Sequence, residues 1–384
     1  MSAIELLARL EHVFRKRIPA LPATLAVQIF SRGRTAFAKR FANDVPFTTR
    51  AFDQDVLDAY GTTLWGLHFR LPLMNAAGMF KSGEGYMVVA QQGAGGYVAG
   101  TTTASARAGN TKNGVRWPAV MYPRSHAASN WMGLPNKGHA VVASHLATLP
   151  RSAGCPMGAS VSADPGMEET LALQGLVGGM RAYERAGIDY VELNESCPNV
   201  PGHHDGPQID DGLIRRLAFI AQHFLSSRTR RVPVVVKFSN DTALEQIDDL
   251  VSTVIQLGFD GIILGNTSTQ YASRRAMIDA SETTLFDHFT QTYGGGLSGR
   301  VLKHDSLMLC IRAREAVERC APSHEFHVIR CGGVESLADV EASRANGILL
   351  NQWYTGYFDA FGTNGHDVYL RLFNSAATLS SNAR

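Results

Sequence analysis

From residue 70 onward, short apolar runs alternate with longer stretches of helical periodicity, and this alternation limits the fold more than any other feature. Eight apolar runs have the length and composition of buried strands. They span residues 71–77, 95–101, 157–161, 190–193, 232–238, 261–264, 327–331 and 347–353. Helix-like stretches separate most of them, the clearest being 168–186, 212–225, 243–257 and 306–319. The pattern predicts an α/β fold, a (β/α)8 TIM barrel, with an open doubly wound sheet as the alternative.

Two stretches, residues 103–153 and 267–305, are too long to be ordinary barrel loops. Connections in such folds are usually a few residues long, and much longer ones tend to carry function. We therefore expect functional loops or small inserted strands in both places.

The chain divides near residue 65 into a helical extension, residues 1–64, and the barrel, residues 65–384. The first helix has an apolar face made of Ile4, Leu7, Leu10 and Phe14. Its polar face carries Glu5, Arg9, His12 and Lys16, and residues 23–30 suggest a second short helix. Residues 1–40 hold eight Lys or Arg and two Glu. Such a segment can lie on an anionic membrane or simply cap the barrel, and the sequence leaves both interpretations open.

The totals exclude several classes of function. A net charge of +2 suggests no nucleic-acid partner. Five Cys, an odd number without CxxC spacing, predict neither a disulfide framework nor a metal site and favour a reducing compartment. No signal peptide is apparent, and no uncharged apolar run approaches the ~18 residues of a membrane span. We expect a cytoplasmic protein and leave open both peripheral contact with the inner membrane and the oligomeric state, a homodimer included.

One segment directly after the fourth strand points to chemistry. Asn194 and Asn199 flank Cys197, and carboxamides can hold a planar amide or imide ring. A thiol can act as a base when its thiolate fraction is raised. The segment 201–207, rich in Gly, Pro and His, would suit a lid over this thiol. Taken alone, Cys197 is better explained as a buried structural residue beside a turn.

Polar residues at other strand ends favour a functional site over a purely structural role for Cys197. Lys237 closes the fifth strand, and Gly-rich turns follow the seventh and eighth, at Gly332-Gly333 and at 354–356. Backbone N–H groups of such turns commonly bind phosphate in these barrels. Together with the amides and the thiol, they suggest a flavin mononucleotide (FMN) barrel for an amide-rich substrate.

Six motifs resemble those of the dihydroorotate dehydrogenase family and cover roughly residues 65–375. They are 130–136 (NWMGLPN), 194–201 (NESCPNVP), 266–268 (NTS), 295–299 (GGLSG), 330–334 (RCGGV) and 354–356 (YTG). The resemblance implies an FMN-dependent oxidation of dihydroorotate to orotate in pyrimidine biosynthesis.

The resemblance also assigns roles by position. Cys197 would be the base, and Lys237 would sit near the flavin ring. Substrate binding would fall to Lys81, Asn130, Met132, Gly133, Leu134, Asn194, Asn199, Asn266 and Thr267. Cofactor binding would fall to Ala77, Gly78, Thr101, Ser160, Asn194, Lys237, Gly299, Gly332, Gly333, Tyr354 and Thr355.

The chain mixes two classes of that family. Cys197 and the MGLPN wording resemble the soluble class, whereas Lys81, Gly100-Thr101 and the extension resemble the quinone-linked class. The family's GNPxPR turn appears at 109–116 without its prolines, and Gly265 replaces a hydroxyl residue. Quinone and fumarate both remain as acceptors. The alternatives are another cyclic amide as substrate, a non-catalytic flavin-binding barrel and a flavin-free phosphosugar barrel.

Overall fold

The computed structural model describes residues 1–44, 51–195 and 210–381, and its centre is a barrel of eight parallel strands. In chain order the strands are β1 (Thr62–Leu64), β2 (Leu67–Phe69), β3 (Leu73–Asn75), β4 (Tyr97–Thr102), β5 (Thr111–Lys112), β6 (Val115–Arg116), β7 (Ala119–Tyr122), β8 (Ala127–Asn130), β9 (Met157–Val161), β10 (Tyr190–Asn194), β11 (Val234–Phe238), β12 (Gly261–Leu264), β13 (Gly296–Gly299), β14 (His327–Cys331) and β15 (Leu350–Trp353). Neighbours around the barrel are β3, β15, β14, β12, β11, β10, β9 and β4. The predicted barrel is confirmed.

The edge between β3 and β4 is joined largely by one side chain. Asn75 Nδ2 donates to Val98 O at 2.9 Å, and Val98 N donates to Asn75 Oδ1 at 3.2 Å. Just beyond the strands, Gly78 N donates to Gly100 O at 2.7 Å. All eight strands run in the same direction, so their carboxyl ends, and the residues that follow, meet at one mouth.

Helices surround the barrel. They are α1 (Ala3–Phe14), α2 (Ala23–Phe41), α3 (Gln54–Tyr60), α4 (Tyr86–Gln92), α5 (His139–Thr148), α6 (Glu169–Arg185), α7 (Asp211–Ile220), α8 (Ile247–Gln256), α9 (Tyr271–Arg275), α10 (Thr283–Thr292), α11 (Lys303–Cys320), α12 (Leu337–Ala345), α13 (Thr355–Asn364) and α14 (Val368–Ser381). Strands covered on both faces must be apolar on both. That explains why β11 begins with three consecutive buried valines.

The two long connections do contain inserted strands, as expected. Strands β7, β8 and β13 form a three-stranded antiparallel sheet, and β5 and β6 form a hairpin. Apolar side chains of this sheet pack with those of α2 and α10 in a second core, which includes Val27, Phe30, Tyr122 and Phe289. The inserted sheet therefore fixes α2 beside the mouth of the barrel.

The first helix meets the barrel through a different face from the one its apolar pattern suggests. Of the predicted apolar face only Ile4 is buried, whereas Leu7, Leu10 and Phe14 are about half exposed. The polar face makes the contacts: Glu5 Oε1 accepts from His366 N at 3.0 Å. The reason is that the end of α13 presents a polar surface to this helix.

The second helix begins where predicted but runs to Phe41, well past residue 30. No proline interrupts it, and the one glycine, Gly33, costs only about 1 kcal/mol against alanine. Nowhere in residues 1–44, 51–195 and 210–381 is a helix both long and apolar enough to cross a bilayer.

Candidate active site

A cavity of about 440 Å³ opens at the carboxyl end of the barrel, between the strand ends and the extension. Most residues predicted to bind substrate or cofactor line it. They are Ala77, Gly78, Lys81, Thr101, Asn130, Met132, Leu134, Asn194, Lys237, Asn266, Thr267, Gly299, Gly332, Gly333, Tyr354 and Thr355. Cys197, Asn199 and the segment 201–207 lie outside the described residues. The fold thus gathers the predicted set, while the individual roles stay predictions.

Below the cavity, a directional chain of hydrogen bonds crosses three strands. Asn194 Nδ2 donates to Thr101 Oγ1 at 2.9 Å. Thr101 Oγ1 and Ser160 Oγ are 2.9 Å apart, and Ser160 Oγ donates to Glu192 Oε1 at 2.9 Å. Because a hydroxyl has one proton, Thr101 must be the donor to Ser160. Ser160 itself does not line the cavity, so it supports Thr101 from beneath.

The chain ends at a buried ion pair. Lys237 Nζ lies 3.4 Å from Glu192 Oε1, and both side chains are at most 2% exposed. Gln352 bridges the two charges: its Nε2 donates to Glu192 Oε2 and its Oε1 accepts from Lys237 Nζ, each at 2.8 Å. The oxygen and the nitrogen of the Gln352 carboxamide are therefore both hydrogen-bonded to the ion pair.

The ammonium of Lys237 is held in its charged form. Burial opposes the charge, but the neighbouring Cys331 and Glu192 side chains outweigh it, so the pKa of Lys237 lies above its ordinary value. Burial also raises the pKa of the Cys331 thiol above its usual range. The thiol is then neutral near pH 7, and Glu192 is the partner that keeps Lys237 charged.

The turns after β14 and β15 form a cradle with little room for side chains. Gly332 and Gly333 have φ of 116° and 72°, a region that disfavours other residues. A Cβ at Gly333 would lie 2.5 Å from the backbone of Lys303. Opposite, α13 begins at Thr355, whose Oγ1 is 3.0 Å from Ser298 Oγ. Backbone N–H groups at such a helix start attract anions.

Two polar side chains beside this cradle have no hydrogen-bonding partner within the described part of the chain. They are Asn240, through both amide atoms, and Thr267, through Oγ1. Asn240 is 4% exposed, and a Cβ at Gly332 would lie 2.9 Å from its Nδ2. Buried polar groups are rarely left unpaired. Thr267 lines the cavity, so a ligand there can pair its hydroxyl, whereas Asn240 lies against Gly332 and outside the cavity lining.

The predicted substrate loop bends over the cavity with support from the turn that lacks its prolines. Asn110 N donates to Met132 O at 2.8 Å. Gly133 has φ of 70°, and a Cβ there would collide with the Asn110 carboxamide. Gly133 lies outside the cavity lining and shapes the turn, while Met132 and Leu134 face the cavity.

Sequence reasoning missed four residues that complete the site. Arg34 of α2 lines the cavity, and its Nε donates to Tyr354 Oη at 3.0 Å. Nothing in the basic extension singled it out, because the contact is tertiary. Glu192 could have been found, as a carboxylate inside an otherwise apolar strand. Gln352 and the buried Arg330 could have been found in the same way, as polar side chains inside the strands β15 and β14.

Comparisons with known proteins agree on one family. The sequence model described as dihydroorotate dehydrogenase matches residues 60–364. A protein of Mycobacteroides abscessus named dihydroorotate dehydrogenase (quinone) is 32% identical over 298 residues, covering 77% of this chain and 76% of that one. One of the same name from Bordetella avium is 32% identical over 305 residues, covering 77% and 79%.

Solved structures agree on the fold. A DHODH of Eimeria tenella in complex with ferulenol superposes with a TM-score of 0.73 at 22% identity, covering 92% of both chains. Its ligand-free form gives 0.72 at 21% identity, covering 92% of this chain and 95% of that one.

Proposed function

Because the chain belongs to the dihydroorotate dehydrogenase family, we propose that it oxidises dihydroorotate to orotate, a step of pyrimidine biosynthesis. The observation that carries the proposal is a single cavity lined by Lys81 and the side chains of Asn130, Asn194 and Asn266. An ammonium group suits a carboxylate, and carboxamides suit the C=O and N–H groups of the substrate ring.

Flavin mononucleotide fits the remaining part of the cavity. Gly299, Gly332, Gly333, Tyr354 and Thr355 would hold its phosphate. Ala77, Gly78, Thr101, Asn194 and Lys237 would hold its ring, with Ser160 behind them. Support comes from the crowded glycine turns and from the unpartnered hydroxyl of Thr267. When bound, the flavin supplies the acceptor for the substrate's hydride.

Removal of the substrate proton falls to Cys197, whose Sγ would take it from C5 of the ring. The proposal rests on the sequence, in which Asn194 and Asn199 bracket this thiol. Carboxamides on both sides would orient the ring so that C5 faces Sγ, and orientation of this kind is a large part of catalysis. The segment 201–207 would close over the site and exclude water.

A quinone is the second acceptor that the geometry favours over fumarate. The cavity does not stop at the strand ends but continues between α1 and α2, where Leu7, Ile29 and Phe37 line it. These side chains form an apolar wall that suits a quinone tail, and the charged Glu11, Arg15 and Arg40 also line this part. Arg34, beside Tyr354, offers a guanidinium to a quinone oxygen at the inner end.

The extension is proposed to bring the enzyme to the membrane, where quinones dissolve. Its first helix exposes Leu6, Leu10, Val13 and Phe14, and Lys and Arg lie beside them. Apolar side chains flanked by cations suit an anionic membrane surface. We therefore propose that residues 1–64 serve the electron acceptor and that residues 65–384 bind the substrate.

The first experiment tests cofactor and substrate. The purified protein should be yellow and release FMN by mass spectrometry. Dihydroorotate should bleach the flavin absorbance anaerobically, and menadione should restore it faster than fumarate does. Release of FAD or of no flavin would refute the cofactor, and bleaching by another cyclic amide but not by dihydroorotate would refute the substrate.

The second experiment tests the path to the acceptor. Arg34→Gln should slow reoxidation by quinone, on the order of tenfold for a lost charged hydrogen bond, and should affect bleaching by dihydroorotate less. Arg32→Gln is the matched control, an exposed arginine on the same helix. Equal quinone rates in both variants would contradict the proposed path.

A further inference from the structure

We propose that Glu192 is a positioning residue that acts through Lys237 and sets the reduction potential of the bound flavin. The inference rests on the proposed function, since it requires FMN in the cavity. Glu192 lies beneath that cavity and is absent from its lining, whereas Lys237 lines it. The effect on the cofactor would therefore pass through the ammonium group.

The geometry ties the two side chains together at three points. Glu192 and Lys237 occupy neighbouring strands, β10 and β11, and their charged atoms are 3.4 Å apart. Gln352 holds both from β15 by two hydrogen bonds of 2.8 Å. Ser160 Oγ, on β9, donates a hydrogen bond to Glu192 Oε1, the oxygen that faces Lys237. Lys237 cannot move towards the cavity without breaking contacts to Glu192 and Gln352.

The carboxylate of Glu192 alone balances the positive charge of the Lys237 ammonium group. It is the only carboxylate within 4.0 Å of Lys237 Nζ in the part of the chain that the structure describes. The other titratable group that faces the ammonium is Cys331 on β14, and burial keeps that thiol neutral. The pair therefore presents no net charge to the cavity, although its positive member is the nearer one.

This balance has a defined consequence for electron transfer. Reduction adds negative charge to a flavin, and an unbalanced cation beside the ring would favour the reduced form. In a buried site, a unit charge a few ångströms away has a large effect. With Glu192 present the cation is largely compensated, so the potential stays low enough for electrons to pass on to a second acceptor.

The test is the midpoint potential of the FMN-loaded protein, measured by anaerobic dye titration at pH 6. Glu192→Gln should raise the ratio of reduced to oxidised flavin on the order of tenfold at a given potential. For a two-electron couple this is a shift of about 30 mV to more positive values. Glu192→Asp, which retains the charge, should lie near the wild-type potential.

The pH dependence gives a second readout that a purely structural role would not produce. Removing Glu192 takes away one of the two side chains that oppose the effect of burial, so the pKa of Lys237 should fall relative to wild type. The midpoint potential of Glu192→Gln should exceed that of wild type at low pH. This difference should shrink as the pH rises and Lys237 loses its proton. Wild type should not show this loss, because its ammonium stays charged.

A matched control is Glu282→Gln, since Glu282 is also fully buried but lies in the inserted region and accepts bonds from residues 124 and 125. Its potential should equal that of wild type. If Glu192→Gln binds FMN and has the wild-type potential at pH 6, the inference is wrong and the proposed function stands. If wild type binds no FMN, the proposed function itself fails.

Discussion

At the scale of single residues, the proposed reaction depends on the Cys197 thiol, whose contribution can be measured directly. Cys197→Ala should retain FMN but lose on the order of a hundredfold or more in the rate of flavin reduction, the typical cost of losing a general base. Cys197→Ser should keep some activity if the pocket can activate a hydroxyl. Stopped-flow reduction by dihydroorotate measures both rates.

The same rate in wild type should rise with pH towards the thiol's pKa, with ~8.5 as the unperturbed reference. Thiolate is the basic form, so the sign is fixed: the rate is lost as pH falls. Reduction of Cys197→Ala at the wild-type rate would remove this thiol from the mechanism. The structure does not describe Cys197, so this prediction rests on the sequence.

A second residue-scale prediction concerns Arg330, which is fully buried behind the glycine cradle. Its guanidinium donates to Ser306 Oγ, Ser343 Oγ, Lys303 O and Asp339 O, at 2.7–3.1 Å. Arg330→Met would remove all of these charged hydrogen bonds, although Lys303 O still accepts from Ser306 Oγ and Asp339 O from Ser343 Oγ. We expect the free energy of unfolding to fall by about 3 kcal/mol, because hydrogen bonds to charged groups contribute about 1.5–3 kcal/mol each.

Urea titration of the FMN-loaded variants would measure this loss. Arg231→Met is the control: its side chain is exposed, and its nearest carboxylate oxygen, on Asp260, is 3.9 Å away. Exposed ion pairs contribute ~1 kcal/mol or less. Similar stability of the two variants would show that the network around Arg330 contributes little.

At the scale of elements, the first helix has two separate faces with separate uses. One face joins the barrel through Glu5, His12 and Arg15, and the other leaves apolar side chains in solvent. Deleting residues 1–40 would also uncover the apolar core beneath α2, so point substitutions give a cleaner test. They change the exposed face and leave the packed one intact.

We expect the double variant Leu10→Glu, Val13→Glu to bind anionic liposomes more weakly and to reduce a long-tailed quinone in them more slowly. Bleaching by dihydroorotate should be unchanged, because both side chains are exposed, at 48% and 67%. Val141→Glu on α5, 55% exposed, is the control for an added surface charge. If wild type, the double variant and Val141→Glu sediment equally with liposomes, α1 does not bind the membrane and serves only as a cap on the barrel.

Element boundaries show what local sequence can and cannot predict. The strands at 157–161, 261–264 and 327–331 agree exactly with β9, β12 and β14, because a strand buried on both faces leaves a continuous apolar run. The sequence left open which face of α1 meets the barrel, because its polar contacts are to residues 359 and 366, more than three hundred residues away. Glu192 stands out in the sequence as a carboxylate inside an apolar strand, but its role does not, because its partners Lys237 and Gln352 come from other strands.

At the scale of the whole molecule, the barrel and the extension line one cavity, which would connect dihydroorotate oxidation to the proposed quinone reduction. The barrel contributes the predicted substrate amides and the glycine cradle, and α1 and α2 contribute the continuation. The quinone path that we propose lies between α1 and α2, whereas the base that we propose, Cys197, follows β10 in the sequence. A Cys base and a quinone acceptor can therefore occur in one chain.

The last prediction is that the folded molecule loses stability in mild acid through His139. This residue links the barrel to its helical layer: its Nδ1 is 2.8 Å from Thr102 Oγ1, and Thr102 also contacts Tyr183 on α6. Burial lowers the pKa of His139 to about 4. In the unfolded chain it would titrate near ~6.5, so stability is complete above that pH and is lost as pH falls towards 4. The loss amounts to about 3 kcal/mol at about 1.36 kcal/mol for each unit.

Urea titrations at pH 7, 6, 5 and 4 would reveal the loss, and His139→Gln should flatten the dependence in that window while lowering stability at pH 7. His145→Gln is the matched control, an exposed histidine on the same helix. It should follow the wild-type curve, because its side chain lies at the surface and makes no contact with Thr102. If His139→Gln shows the same slope as wild type between pH 6.5 and 4, the acid sensitivity of the fold arises elsewhere.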